Sequence, residues 1–239
     1  MMNNVKNKIV FITGGSSGYG KAAAKTFTKE GATVIIAARN ENDLIIAKQE
    51  TNCDSYIVLD VTKVEDWLKA EKFVIEKYGK IDILINNAGG GIAIKDTVDQ
   101  TFENIDKIIA LNLNSVVYGS KVFAKYMKEQ KSGTIINVSS VCATHCWPGY
   151  SVYGAAKAGV LNFSKSLYVE LQQDNVRVTC IIPAAANTKF AERSGQNIGK
   201  LVMTAQDVAD TMLYVCNLPD TAVVEEVTVW GIDQIVNPL

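Results

Sequence analysis

No run of eighteen apolar residues occurs anywhere in this chain, so nothing in it predicts a membrane-spanning helix. Charge is nearly cancelled: 24 basic against 25 acidic residues leave a net −1, and no nucleic-acid surface is expected. The five cysteines (53, 142, 146, 180 and 216) are odd in number and never spaced Cys-x-x-Cys. That pattern predicts no zinc site and fits a reduced, cytoplasmic protein. The first eight residues lead straight into an apolar segment and a Gly-rich turn, without a signal-peptide pattern. No repeat, linker or shift in composition divides the 239 residues, so one domain over 1–239 is expected.

What is present is a regular alternation. Apolar, β-branched segments predict strands at 8–13, 33–38, 55–59, 82–86, 134–139, 176–182 and 223–230. Between them, helices are expected from the Gly-rich turn to about 30, then over 40–50, 64–78, 102–130 (one long helix), 153–173 and 205–217. Gly31 and Gly79 mark two helix ends. In the helix over 153–173, Ala156, Val160, Phe163, Leu167 and Leu171 form a core stripe, and Ala155, Gly159 and Ser166 a second, small-residue face. Strand–helix alternation implies an α/β fold: a single-domain Rossmann-type, doubly wound parallel sheet of about seven strands with helices on both faces. Apolar residues make up 48% of the chain, enough for a large core.

Gly14-Gly15-Ser16-Ser17-Gly18-Tyr19-Gly20 joins the first strand to the first helix. Glycines there permit a tight turn and let the backbone approach a pyrophosphate, which rests on the helix N-terminus. At the end of the second strand the chain reads Ala37-Ala38-Arg39-Asn40. An acidic residue at that place bonds the ribose of NAD, whereas an arginine accepts the 2′-phosphate of NADP. Ala38 followed by Arg39 therefore points to NADP(H), with NAD(H) less favoured.

Tyr153 and Lys157 are four apart, one turn above each other on a helix. Ser140 lies thirteen residues before Tyr153, at the end of a strand. An ammonium one turn away favours the phenolate and is expected to lower the Tyr153 pKa towards the useful range for acid–base catalysis. Tyr-x-x-x-Lys alone is common by chance; its weight comes from what lies upstream.

Thr13-Gly14-Gly15-Ser16-Ser17-Gly18-Tyr19-Gly20 resembles the cofactor turn of the short-chain dehydrogenase/reductase family. Asn86-Asn87-Ala88-Gly89, Asn112, Ser140 with Tyr153-x-x-x-Lys157, and the segment Pro183 to Thr188 follow in that family's order, so the resemblance spans about residues 6–230. It implies Tyr153 as general acid or base, Lys157 on the nicotinamide ribose, Ser140 on the substrate oxygen, and Asn112 holding a water. It also implies cofactor contacts at Gly14, Ser16, Ser17, Gly18, Tyr19 and Gly20, at Asp60 and Val61, at Asn87, Ala88 and Gly89, and at Pro183 and Thr188. A substrate loop is expected over about 183–203, and a homodimer or homotetramer as the assembly. Several residues depart from the family pattern: Tyr19 stands where isoleucine is usual, Ala184 follows Pro183 in place of glycine, and Ala185-Ala186 continue a small-residue run.

His145, the only histidine, lies with Trp147 and Tyr150 between Ser140 and Tyr153. These three are candidate lining for a substrate pocket. The expected activity is NADP(H)-dependent interconversion of a ketone and a secondary alcohol, with a hydroxysteroid or bile acid, a 3-oxoacyl thioester or a small ketone as substrate. A dinucleotide-sensing protein without catalysis is the alternative, disfavoured because Asn112, Ser140, Tyr153 and Lys157 are all present.

Overall fold

A computed structural model of the chain describes residues 4–186 and 203–234. Seven parallel strands form one sheet in the order β3-β2-β1-β4-β5-β6-β7. They are β1 (Ile9–Thr13), β2 (Thr33–Ala38), β3 (Ser55–Val58), β4 (Ile83–Asn86), β5 (Gly133–Val138), β6 (Val176–Pro183) and β7 (Glu226–Val229). Among the described residues the α-helices are α1 (Gly18–Lys29), α2 (Glu41–Thr51), α3 (Val64–Tyr78), α4 (Phe102–Ile109), α5 (Ser115–Gln130), α6 (Ser151–Leu171) and α7 (Ala205–Cys216). The strand order reverses direction beside β1, where β4 pairs on its other edge. Ligands of such sheets bind at that switch point, beyond the strand C-termini.

Successive side chains along a strand face opposite ways, and β1 shows it. Val10 and Ile12 join a core with Phe27 of α1, Leu44 of α2 and Met212 of α7. Ile9 and Phe11 join the opposite core with Trp67 of α3 and Phe123 of α5. There the Phe11 and Phe123 rings lie 5.1 Å apart, within the favourable range for aromatic pairs. The stripe predicted along α6 is core: Ala156, Val160, Leu167 and Leu171 are buried, and Phe163 packs against both cores.

Three expectations are corrected. The long helix is interrupted by a wide π-type turn, Ala110–Asn114. Asn112 Nδ2 donates to Ile108 O at 3.0 Å and Ser115 Oγ to Leu111 O at 2.6 Å, so side chains enter the backbone ladder. The last strand is shorter than expected, because β7 is an edge strand that pairs only with β6 over four residues. Gly159 belongs less to a free small-residue face than to its own chain: a Cβ there would meet Leu113 at 3.1 Å. Ala155 and Ser166 remain exposed. All five cysteines are free thiols.

Candidate active site

β1 ends at Thr13, and the chain turns through Gly14 (φ +66°) and Gly18 (φ +54°) into α1. That left-handed backbone is what selects glycine at both places. Gly20 is selected by close approach, since a Cβ there would lie 2.4 Å from the Gly14 carbonyl oxygen. Ser17 precedes α1 in extended conformation but makes no side-chain cap bond. First-turn N–H groups of the helix are thereby left for another acceptor. Asn87 Nδ2 donates to Thr13 O at 2.8 Å, and Thr13 Oγ1 accepts from the N–H groups of Asn87 and Ala88 at 3.0 Å. These bonds fasten the turn to the end of β4.

A cleft of about 840 Å³ runs along the strand C-termini. Over the Gly-rich turn it is lined by Gly14, Ser16, Ser17, Gly18 and Tyr19. Towards β2 and β3 lie Ala38, Arg39, Asn40, Asp43, Leu59 and Val61. Asn87, Ala88 and Gly89 follow β4, and Ser140, Tyr153 and Lys157 come from β5 and α6. Trp147, Tyr150 and Pro183 complete the predicted residues found there.

Four predicted residues do not line it, and one lies outside the described residues. Gly20 packs beneath the turn. Asp60 is turned away: its Oδ1 accepts from Thr62 N at 3.0 Å and Thr62 Oγ1 at 2.7 Å. Strand-like alternation puts Leu59 and Val61 on the cleft side and Asp60 on the other. Asn112 is fully buried and gives both side-chain atoms to the backbone: Oδ1 accepts from Gly90 N and Nδ2 donates to Gly90 O, both at 2.9 Å. His145 stands behind the lining, against Trp147 and Trp230. Thr188 and most of the expected substrate loop lie outside the described residues.

At the reactive end, Ser140 hydrogen-bonds the Tyr153 hydroxyl and accepts from Cys142 N at 3.2 Å. Lys157 is 3% exposed; its Nζ donates to Val138 O at 2.9 Å and lies 5.7 Å from the Tyr153 ring centroid. Burial pulls the Lys157 pKa down to about 8. For Tyr153 the sequence expectation is reversed: burial, reinforced by the Cys142 thiol, pushes its pKa up, and only the Ser140 bond opposes this. Lys157 does not oppose the rise: its hydrogen bond goes to Val138, and with a pKa of about 8 it has lost its proton before the phenol ionises.

Sequence reasoning did not single out Cys142, Trp230, Asp233 and Gln234, all of which line the cleft, whereas Ala185 and Ala186, also in the lining, fall in the expected loop over 183–203. Trp230 was within reach, because it directly follows β7 and strand C-termini are where such folds bind ligands. Ala184 also lines the cleft; it takes no positive φ, and its N–H donates to Val229 O at 2.9 Å, extending the β6–β7 pairing.

A parallel sheet with a Gly-rich turn at its switch point, and a Ser, Tyr and Lys gathered beyond β5, is the arrangement of a dinucleotide-using oxidoreductase. The short chain dehydrogenase family matches residues 8–199, and the chain belongs to that family. It is 36% identical over 233 residues to an uncharacterized oxidoreductase of Staphylococcus epidermidis, covering 95% of this chain and 99% of that one. A 3-oxoacyl-[acyl-carrier-protein] reductase of Thermotoga maritima is 36% identical over 196 residues, covering 79% and 78%. Among solved structures, the closed form of a serine dehydrogenase complexed with NADP+ matches with a TM-score of 0.90 at 28% identity, covering 97% and 98%. No helix of the described residues is long and apolar enough to cross a membrane.

Proposed function

We propose that this protein is an NADP(H)-dependent oxidoreductase that interconverts a ketone and a secondary alcohol, with Tyr153 as proton donor and acceptor. The observation that carries the reading is the joining of Tyr153, Ser140 and Lys157 to the Gly-rich turn in one cleft. The cleft fits a dinucleotide: its turn brings main chain close beneath it, and α1 opens without a side-chain cap.

A nicotinamide dinucleotide held along the cleft would supply the hydride. Ser17, Gly18 and Tyr19 would hold the pyrophosphate, and Arg39 the adenosine 2′-phosphate. Ser140, already bonded to the Tyr153 hydroxyl, would share the substrate oxygen with it. In reduction Tyr153 gives its proton to that oxygen and regains one from solvent; in oxidation both transfers reverse. The phenol is protonated at neutral pH, and burial holds its proton more firmly still. Lys157 would bind the nicotinamide ribose and keep a positive charge beneath the reacting groups. Asn112 acts as a positioning residue, holding Gly90 and the π-type turn that carries it.

We place the protein in the cytoplasm as a symmetric dimer or tetramer, with the exposed Ala155 and Ser166 face of α6 available for close helix approach. A light-scattering mass of a single 26.0 kDa chain would contradict the assembly. The activity is tested by following the nicotinamide absorbance with a ketone panel. Tyr153→Phe is expected to lower turnover by about 10²–10⁴-fold while NADPH still binds. Near-native turnover in that variant would refute the role of Tyr153.

A further inference from the structure

We infer that the reactive end of the cleft accepts an uncharged cyclic or aromatic ketone, and that His145 positions the aromatic wall against which it lies. This inference rests on the ketone-reductase reading above. Trp147 and Tyr150 come from the segment between β5 and α6, whereas Trp230 follows β7, yet all three line the cavity that holds Ser140 and Tyr153. The Tyr150 ring meets the Tyr153 ring edge-on at 6.2 Å, so the wall begins beside the reacting hydroxyl.

His145 joins its two distant parts. Its ring stacks on Trp147 at 6.1 Å and 29°, and meets Trp230 edge-on at 5.3 Å and 78°. Both separations fall within the range where aromatic pairs attract. Thr144 Oγ1 lies 2.9 Å from His145 Nδ1 and fixes the ring in its own plane. The imidazole does not line the cleft; it acts through the two indoles.

The lining also holds small residues, Gly90, Ala184, Ala185 and Ala186, beside Leu111, Val141 and Cys142. A lining that combines three aromatic side chains with several small ones suits a flat ring better than a branched chain. Charge argues the same way. Lys157 donates to Val138 O, Arg39 lies towards β2, and Asp233 adds a carboxylate to the lining. Apart from Lys157, which the ribose would take, no described cation of the lining stands at this end to pair with an anionic substrate.

The experiment uses α-tetralone as the cyclic ketone, 2-butanone as a small acyclic one and levulinate as a keto acid, each with NADPH. The kcat/KM for α-tetralone is expected to exceed that for 2-butanone by at least about tenfold. His145→Ala is expected to raise the α-tetralone KM by roughly 2- to 12-fold, with kcat nearly unchanged. The 2-butanone KM and the NADPH affinity should stay where they were. His145→Phe, which keeps a flat ring, should restore the α-tetralone KM. Preference for levulinate, or an equal effect of His145→Ala on both ketones, overturns the inference. Tyr153-dependent turnover of 2-butanone or levulinate without α-tetralone overturns this inference alone. NADPH binding with no ketone reduced overturns the ketone-reductase reading together with it.

Discussion

The Tyr19 hydroxyl donates to the main-chain carbonyl of Ala184 at 3.3 Å, tying the Gly-rich turn to the segment beyond β6. Both residues depart from the motifs that the chain resembles, and here they meet each other. A side chain longer than isoleucine at 19 spans the gap. The Ala184 peptide is held from the other side by Val229. An O–H···O bond is usually about 2.7–2.8 Å, so this one belongs in the lower part of the 0.5–1.5 kcal/mol range. Tyr19→Phe is expected to weaken NADPH binding by less than about tenfold and to shift the Tm by only a few degrees. Titration with NADPH, read by fluorescence, checks it; identical affinities would mean that the link is not felt at the cofactor.

The Lys157 pKa of about 8 sets a pH dependence. On the proposed mechanism, ketone reduction needs the Tyr153 phenol protonated and the Lys157 ammonium charged. With Tyr153 raised, its proton is secure at and above neutral pH, and Lys157 is the group that titrates. The kcat/KM for reduction should be flat below about pH 8 and fall above it. In Lys157→Arg the side chain stays charged throughout, so that limb should disappear even though the rate is lower. A profile from pH 6 to pH 10 decides it, and a limb unchanged in the arginine variant contradicts the assignment.

Ala38 and Arg39 both line the cleft, and on the proposed reading they set the cofactor choice. A hydrogen bond to a charged partner is worth about 1.5–3 kcal/mol, or roughly ten- to more than a hundredfold in affinity. The parent should prefer NADPH. Ala38→Asp with Arg39→Ala should move the ratio of kcat/KM towards NADH by about that factor. A parent preferring NADH, or a ratio indifferent to Arg39, would refute it.

Steric crowding ranks two glycines. A Cβ at Gly20 would lie 2.4 Å from Gly14 O and 2.6 Å from Asn87 Nδ2, whereas one at Gly18 would meet nothing within 4 Å. Main chain cannot swing aside as a side-chain tip can. Gly20→Ala is expected to cost about 3 kcal/mol or more, and Gly18→Ala only the ~1–2 kcal/mol of a left-handed backbone. Calorimetric melting of both should give the lower Tm to Gly20→Ala.

The local pattern of the chain determined the alternation of strands and helices, the Gly-rich turn, and the spacing that places Tyr153 above Lys157, because these depend on neighbours a few residues apart. Only the tertiary structure decided what depends on distant partners. Asp60 turned from the cleft once Thr62 took its carboxylate. Asn112 opened the helix into a π-type turn while bonding Gly90. His145 became the link between Trp147 and Trp230 because β7 delivers an indole beside the segment after β5. The Tyr153 pKa rises although a lysine stands one turn away, since desolvation is set by everything packed around a group and helical spacing carries no measure of it.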